Sequence, residues 1–125
     1  MLKDFEKITE NLNDKEKYTL LPLIVKGIKR YKGKQNAISA SVIIKRINES
    51  GRLGKYKLNP VKLRKVIQVI RVNGLILNLC SCSKGYYIAN NIQEIDDCIE
   101  SLEQRISQQE LVVKSLIWQR QQSAN

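Results

Sequence analysis

The apolar residues of this chain change their repeat twice, and that succession of periods constrains the fold more than any single motif. Up to about residue 73 they recur at helical spacing in three separate blocks. From Leu75 to Ala89 they alternate as in strands, and from Ile92 onward a three-and-four spacing runs for about four heptads. In the first block, Leu20, Leu21, Ile24 and Ile28 share one face. Asn13 or Asp14 can cap its start, and Gly33 ends it. Pro22 lies inside this pattern, so it either kinks the helix or occupies a first turn that begins near Thr19 or Leu20.

The remaining punctuation is equally local. Ala37-Ile38 reads as a short extended piece. Ser39 is an N-cap before the stripe Ala40, Ile43, Ile44 and Ile47, and Gly51 is the stop. Asn59-Pro60 opens a third helix whose inward stripe is Leu63, Val66, Ile67 and Ile70, and Asn73-Gly74 closes it. Ser83-Lys84-Gly85 is turn chemistry between two alternating runs. Asn91 with Glu94 forms a capping-box pair before the last helix. The expected helices cover about 14–32, 39–50, 60–73 and 91–119, with a hairpin over about 75–89.

Three short helices, a hairpin and a long helix define the expected fold: mainly α with a small β-hairpin, a winged helix-turn-helix followed by a coiled-coil-like helix. The organisation is an N-terminal arm over 1–12, in which Phe5, Ile8 and Leu12 share a face, then a winged-helix domain over 13–90. A dimerisation helix over 91–119 and a tail over 120–125 follow. The seam Ile92, Ile95, Ile99, Leu102, Ile106, Gln109, Val113 and Leu116 is expected to pair with the same helix of a second chain, Gln109 helping to fix register. The pattern leaves open whether the helix pairs between chains or folds back on the first helix.

Charge is what points to a partner. The net charge is +10, and from Lys26 to Arg71 there are 14 Lys or Arg against one acid, Glu49. Residues 1–25 and 90–125 both carry more acids than bases. A basic centre between acidic ends is the footprint of a polyanion site rather than of general solubility. On a helical wheel, the third helix turns Val61, Lys65, Gln68 and Val72 outward, with Arg64 and Arg71 on one flank and Lys62 and Val69 on the other. No acid falls between Lys55 and Gly85, as an ordinary solvated face would have.

In the winged-helix arrangement this third helix enters the major groove of duplex DNA, Lys65 and Gln68 meet base edges, and Arg64, Arg71 and Lys62 reach phosphates or flanking bases. Ser83 and Lys84 at the hairpin tip contact the backbone. The helix start at Asn59, with Arg52, Lys55 and Lys57 in the preceding loop, extends the same surface.

The segments LLPLIVKGIK, KLRKVIQVIRVNGLI, SKGYYIA and IESLEQRI together resemble small winged-helix proteins encoded by bacteriophages and prophages, most specifically over Ile70 to Ala89. That resemblance implies a transcription regulator or a replication-associated factor.

No enzyme is expected. The chain has no histidine, its six glycines are scattered, and the row Asp96, Asp97, Glu100 and Glu103 reads as a solvated helix flank. Cys80, Cys82 and Cys98 lack the ligand set of a zinc site and read as small core residues, so neither metal nor cofactor is expected. The absence of a long apolar run and of a signal-peptide pattern predicts no membrane span and a cytoplasmic, nucleoid-associated location in a bacterial host. The competing function is a winged-helix protein-interaction module, such as an inhibitor or adaptor of an acidic host protein, favoured by the outward valines Val61, Val69 and Val72. Single-stranded or RNA binding is weaker, because only Tyr86-Tyr87 offers stacking surface.

Overall fold

A computed structural model describes residues 12–124, so Phe5 and Ile8 of the expected arm lie outside the described residues. The chain enters its first helix through a reciprocal cap. Asn13 Oδ1 accepts from Glu16 N at 2.8 Å, and Glu16 Oε1 accepts from Asn13 N at 2.9 Å. A π-helical turn, Glu16–Leu20, then runs directly into α1, Leu21–Ile28, with Pro22 in the first turn of α1. Pro22 therefore neither starts the helix afresh nor breaks it. Its missing N–H and its ring are accommodated by the wider turn, in which Leu21 N donates to Glu16 O.

Ser39 caps α2, Ala40–Glu49, by accepting from Val42 N. Asn59 caps α3, Pro60–Val72, by accepting from Lys62 N at 2.9 Å. The intervening loop is pinned by Asn48, whose amide both accepts from Leu58 N and donates to Leu58 O. Leu20, Ile24, Ile28, Leu63, Val66 and Ile70 are the fully buried centre of the core, each contributing about 1.5–3 kcal/mol on burial. Ile43 is also buried, whereas Ala40, Ile44 and Ile47 cover the edge.

The hairpin is shorter than its alternating pattern predicts. Its strands are β1, Leu79–Cys82, and β2, Gly85–Ile88, joined by Ser83-Lys84. Residues 75–78 bend and turn between positive φ of 62° at both Gly74 and Asn78, which shifts the phase of burial. Ile76 and Leu79 enter the core, and Leu75 and Leu77 stay exposed. Ile38 bridges to the other side of β2, exchanging both backbone hydrogen bonds with Tyr86 at 2.9 Å.

The two faces of the hairpin bury different partners. Leu79 and Ile88 pack on the helical core, while the cross-strand pair Cys80 and Tyr87 packs against Ile95 and Cys98 of α4, Ile92–Ala124. At its start, Asn91 Oδ1 accepts from Glu94 N as a cap should. The Glu94 carboxylate reaches one residue further back than a capping box requires, accepting from Asn90 N and Lys34 N.

α4 extends five residues beyond the expected limit of 119, and its 33 residues span about 50 Å. It does not fold back on α1, since every residue from Ile99 to Ala124 is exposed. Of the expected seam, Ile95 is partly covered by its own domain, and among the described residues nothing comparable covers Ile92, Ile99, Leu102, Ile106, Gln109, Val113 and Leu116. Among the described residues no helix is long and apolar enough to cross a membrane.

Candidate nucleic-acid interface

The outward side of α3 faces an open groove of about 660 Å³. Its walls are α3 (Arg64, Gln68, Arg71 and Val72), the hairpin (Ser81 to Tyr86), the start of α2 at Ser39 and Ala40, and one turn of α4 that supplies Leu102 and Arg105. Four cations line it, and among the described residues no carboxylate does. Five of the expected contact residues are thus brought together: Arg64, Gln68, Arg71, Ser83 and Lys84.

The spacing of the α3 residues explains why. Arg64, Gln68, Arg71 and Val72 recur at i, i+4, i+7 and i+8, a single helical face. Gln68 lies near the middle of the solvent side and is exposed, as is Arg64. Arg71 is half-buried and already committed. Its Nε donates to Leu79 O at 3.2 Å, and Nη2 reaches Cys98 Sγ at 3.5 Å. It bolts α3 to both the hairpin and α4, so its charge reaches the groove from a fixed guanidinium.

Lys65 is a correction. Its Nζ lies 3.3 Å from Glu16 Oε1, forming an ion pair with a carboxylate that is almost wholly buried. Glu16 also accepts from Tyr56 Oη at 2.8 Å. Burial alone would raise the pKa of Glu16. The hydrogen bonds from Asn13 N, Tyr56 and Lys65, with the charge of Lys65, outweigh it and hold the carboxyl below its ordinary value. Burial and the neighbouring carboxylate push the Tyr56 phenol up. Lys65 therefore faces the entry to the first helix instead of the groove. Val69, one turn on along the same flank, is buried, so the outward valines reduce to Val61 and Val72.

The loop cations are not brought to the groove either. Lys62 sits 4.1 Å over the Tyr56 ring and donates to Lys57 O at 3.4 Å. Asn59 spends its side chain on the cap. Lys55 and Lys57 are exposed on loop 51–58, and Arg52 borders a separate small cavity between α1 and α2.

Two contributors escaped the sequence reading: Ser39, seen only as a cap, and Arg105. Arg105 had one available signal, being the sole base between Ile92 and Val113, seven residues after Cys98 and so on the same face.

Cys80 and Cys98 are buried free thiols. Burial, then the adjacent Cys98, pushes the Cys80 thiol up to about 12, which leaves it protonated and a poor nucleophile. Among the described residues no group of three or more His, Cys, Asp or Glu comes together.

No known protein family, curated protein or solved structure matches the chain.

Proposed function

We propose that residues 13–90 form a winged helix-turn-helix that binds duplex DNA, with α3 in the major groove and the β1–β2 hairpin as the wing. The observation that carries this reading is the groove itself: Arg64, Arg71, Lys84 and Arg105 line it together with Gln68, and among the described residues no carboxylate does. Such a surface attracts phosphates, and an exposed amide in its wall can read adenine bidentately. Arg64, beside Gln68, takes the base-edge role expected of Lys65, since a guanidinium matches the two acceptors of guanine. Ser83 and Lys84 hold the backbone from the wing, and Arg105 adds a phosphate contact from α4. The order of elements and the bridge between Ile38 and Tyr86, which ties the hairpin to the start of α2, support the winged-helix reading. A regulator or replication factor of the phage type is the role this reading favours.

Affinity for mixed-sequence and selected duplexes across a salt series tests it. If the four groove cations each neutralise one phosphate, log affinity falls against log salt with a slope of about −3.6. Absence of salt-dependent binding to any duplex refutes the reading. The outward side of α3 would then be assigned to an acidic protein partner, for which Val72 in the groove wall and the exposed Val61, at 65% accessibility, are the favouring observations.

A further inference from the structure

We propose that α4 associates with the α4 of a second copy as a parallel, in-register, two-stranded coiled coil running from Ile99 toward the helix end. Lettering the heptad a to g from Ile92, the a positions hold Ile92, Ile99, Ile106 and Val113, and the d positions hold Ile95, Leu102, Gln109 and Leu116. Ile95 is partly covered by its own domain beside Cys98, so the free seam opens at Ile99. From there the a residues are all β-branched and the apolar d residues are both leucine, the combination that favours two parallel strands.

The flanking positions choose the orientation. In a parallel pair, each g residue faces the e residue five positions later on the other helix. Arg105 at g then meets the partner's Glu110 at e, an ion pair made twice by symmetry. Val112 at g meets the partner's Ile117 at e, which extends the apolar seam. These two residues are otherwise unexplained exposed hydrophobics, at 57% and 41% accessibility.

An antiparallel pair sets e against e and g against g. It would align the acids Asp96, Glu103 and Glu110 with one another and place Arg105 and Val112 on a shared flank. Gln109 gives the same answer. In register its amide meets its own copy and both can hydrogen bond, whereas in an antiparallel seam it faces an apolar a residue and stays unpaired. Leu111 and Trp118, both at f, lie on the outer side of this pairing.

The parallel arrangement puts both N-terminal domains, and so both basic grooves, at one end of a stalk. The test concerns self-association of the full chain without nucleic acid, so its failure is distinguishable from failure of the DNA reading. Sedimentation equilibrium across a micromolar concentration series should give twice the 14.4 kDa chain mass. Arg105→Glu should weaken the dimer about tenfold by turning two attractions into two repulsions, and Arg105→Glu combined with Glu110→Arg should restore it. Ser123→Cys, at the next d position, should yield a 123–123 disulfide on mild oxidation, identified by peptide mapping against the wild type. A monomer throughout that range overturns the proposal. A dimer that neither regains affinity on charge exchange nor cross-links at 123 overturns the parallel orientation. Circular dichroism of each variant separates loss of pairing from loss of fold.

Discussion

Replacing Gly85 by alanine should be among the most damaging single-methyl additions the chain can suffer. Gly85 has φ +136°, a region that residues with a Cβ rarely adopt, which alone costs about 1–3 kcal/mol. The added Cβ would also stand 2.0 Å from Ile38 O and 2.4 Å from Ile38 C, both backbone atoms. Relief requires the start of α2 and the hairpin to separate by more than an ångström. That breaks the two hydrogen bonds between Ile38 and Tyr86, each worth about 0.5–1.5 kcal/mol. The total is about 2–6 kcal/mol, a large part of the stability of a domain this size. Gly27 is the internal control. It lies in α1 with nothing within 4 Å of a built Cβ, so Gly27→Ala should stabilise by about 0.5–1 kcal/mol through helix propensity. Urea denaturation of the wild type and both variants measures the difference. A Gly85→Ala midpoint indistinguishable from the wild type would refute the claim that this close approach sets the hairpin.

Other expectations follow from the same contacts. Glu16 has a lowered folded pKa, so its contribution to stability is present above its ordinary value of 4.5 and is lost as pH falls through the lower folded value; Glu16→Gln should flatten that acid limb in pH-dependent denaturation. Lys65→Ala should lower stability by leaving the buried Glu16 short of a partner, yet leave the salt slope of DNA binding unchanged. Lys84→Ala should instead reduce that slope by about one with the fold intact. Gln68→Ala should relax sequence preference in competition assays, at about 1–3 kcal/mol for the lost base contact. Alkylation of the folded protein should reach the half-buried Cys82 well before the buried Cys80 and Cys98, read by mass spectrometry of partial digests.

The parts of the fold legible in the sequence are those decided by neighbours in the chain. The Asn59-Pro60 cap, the Ser39 cap and the stripe of Leu63, Val66, Ile67 and Ile70 depend on residues within one or two turns, and they form as their patterns imply. The start of β1 is not legible, because the side-chain alternation from Leu75 carries no sign that Asn78 adopts a positive φ. The candidate site divides along the same line. Lys65 lies at the correct wheel angle to face outward, and what turns it away is a carboxylate 49 residues earlier, at the π-helical entry to the first helix. Val69, one turn further along the same flank, is buried in the helical core, so an apparently outward valine is not exposed.

The long helix shows most clearly what a period can and cannot specify. Successive steps of three and four residues generate a seam, but they do not say which object covers each part of it. In α4 the first turns give Ile95 and Cys98 to the hairpin, because Cys80 and Tyr87 present an apolar face of β1 and β2 there. Once the hairpin ends, the same periodic face continues with no cover among the described residues. The helix is therefore a clamp at its start and an unpaired seam beyond Ile99, and Arg105 lies where the two meet. One guanidinium there borders the basic groove of its own domain and stands at the flank where the partner's Glu110 would dock. Pairing of the stalks and the charge of the groove would then compete for that side chain, so Arg105→Ala should lower the salt slope for DNA less in the paired protein than Lys84→Ala does. Equal losses of slope for the two variants, measured above the dimer concentration, would place Arg105 fully in the groove and leave Glu110 without its partner.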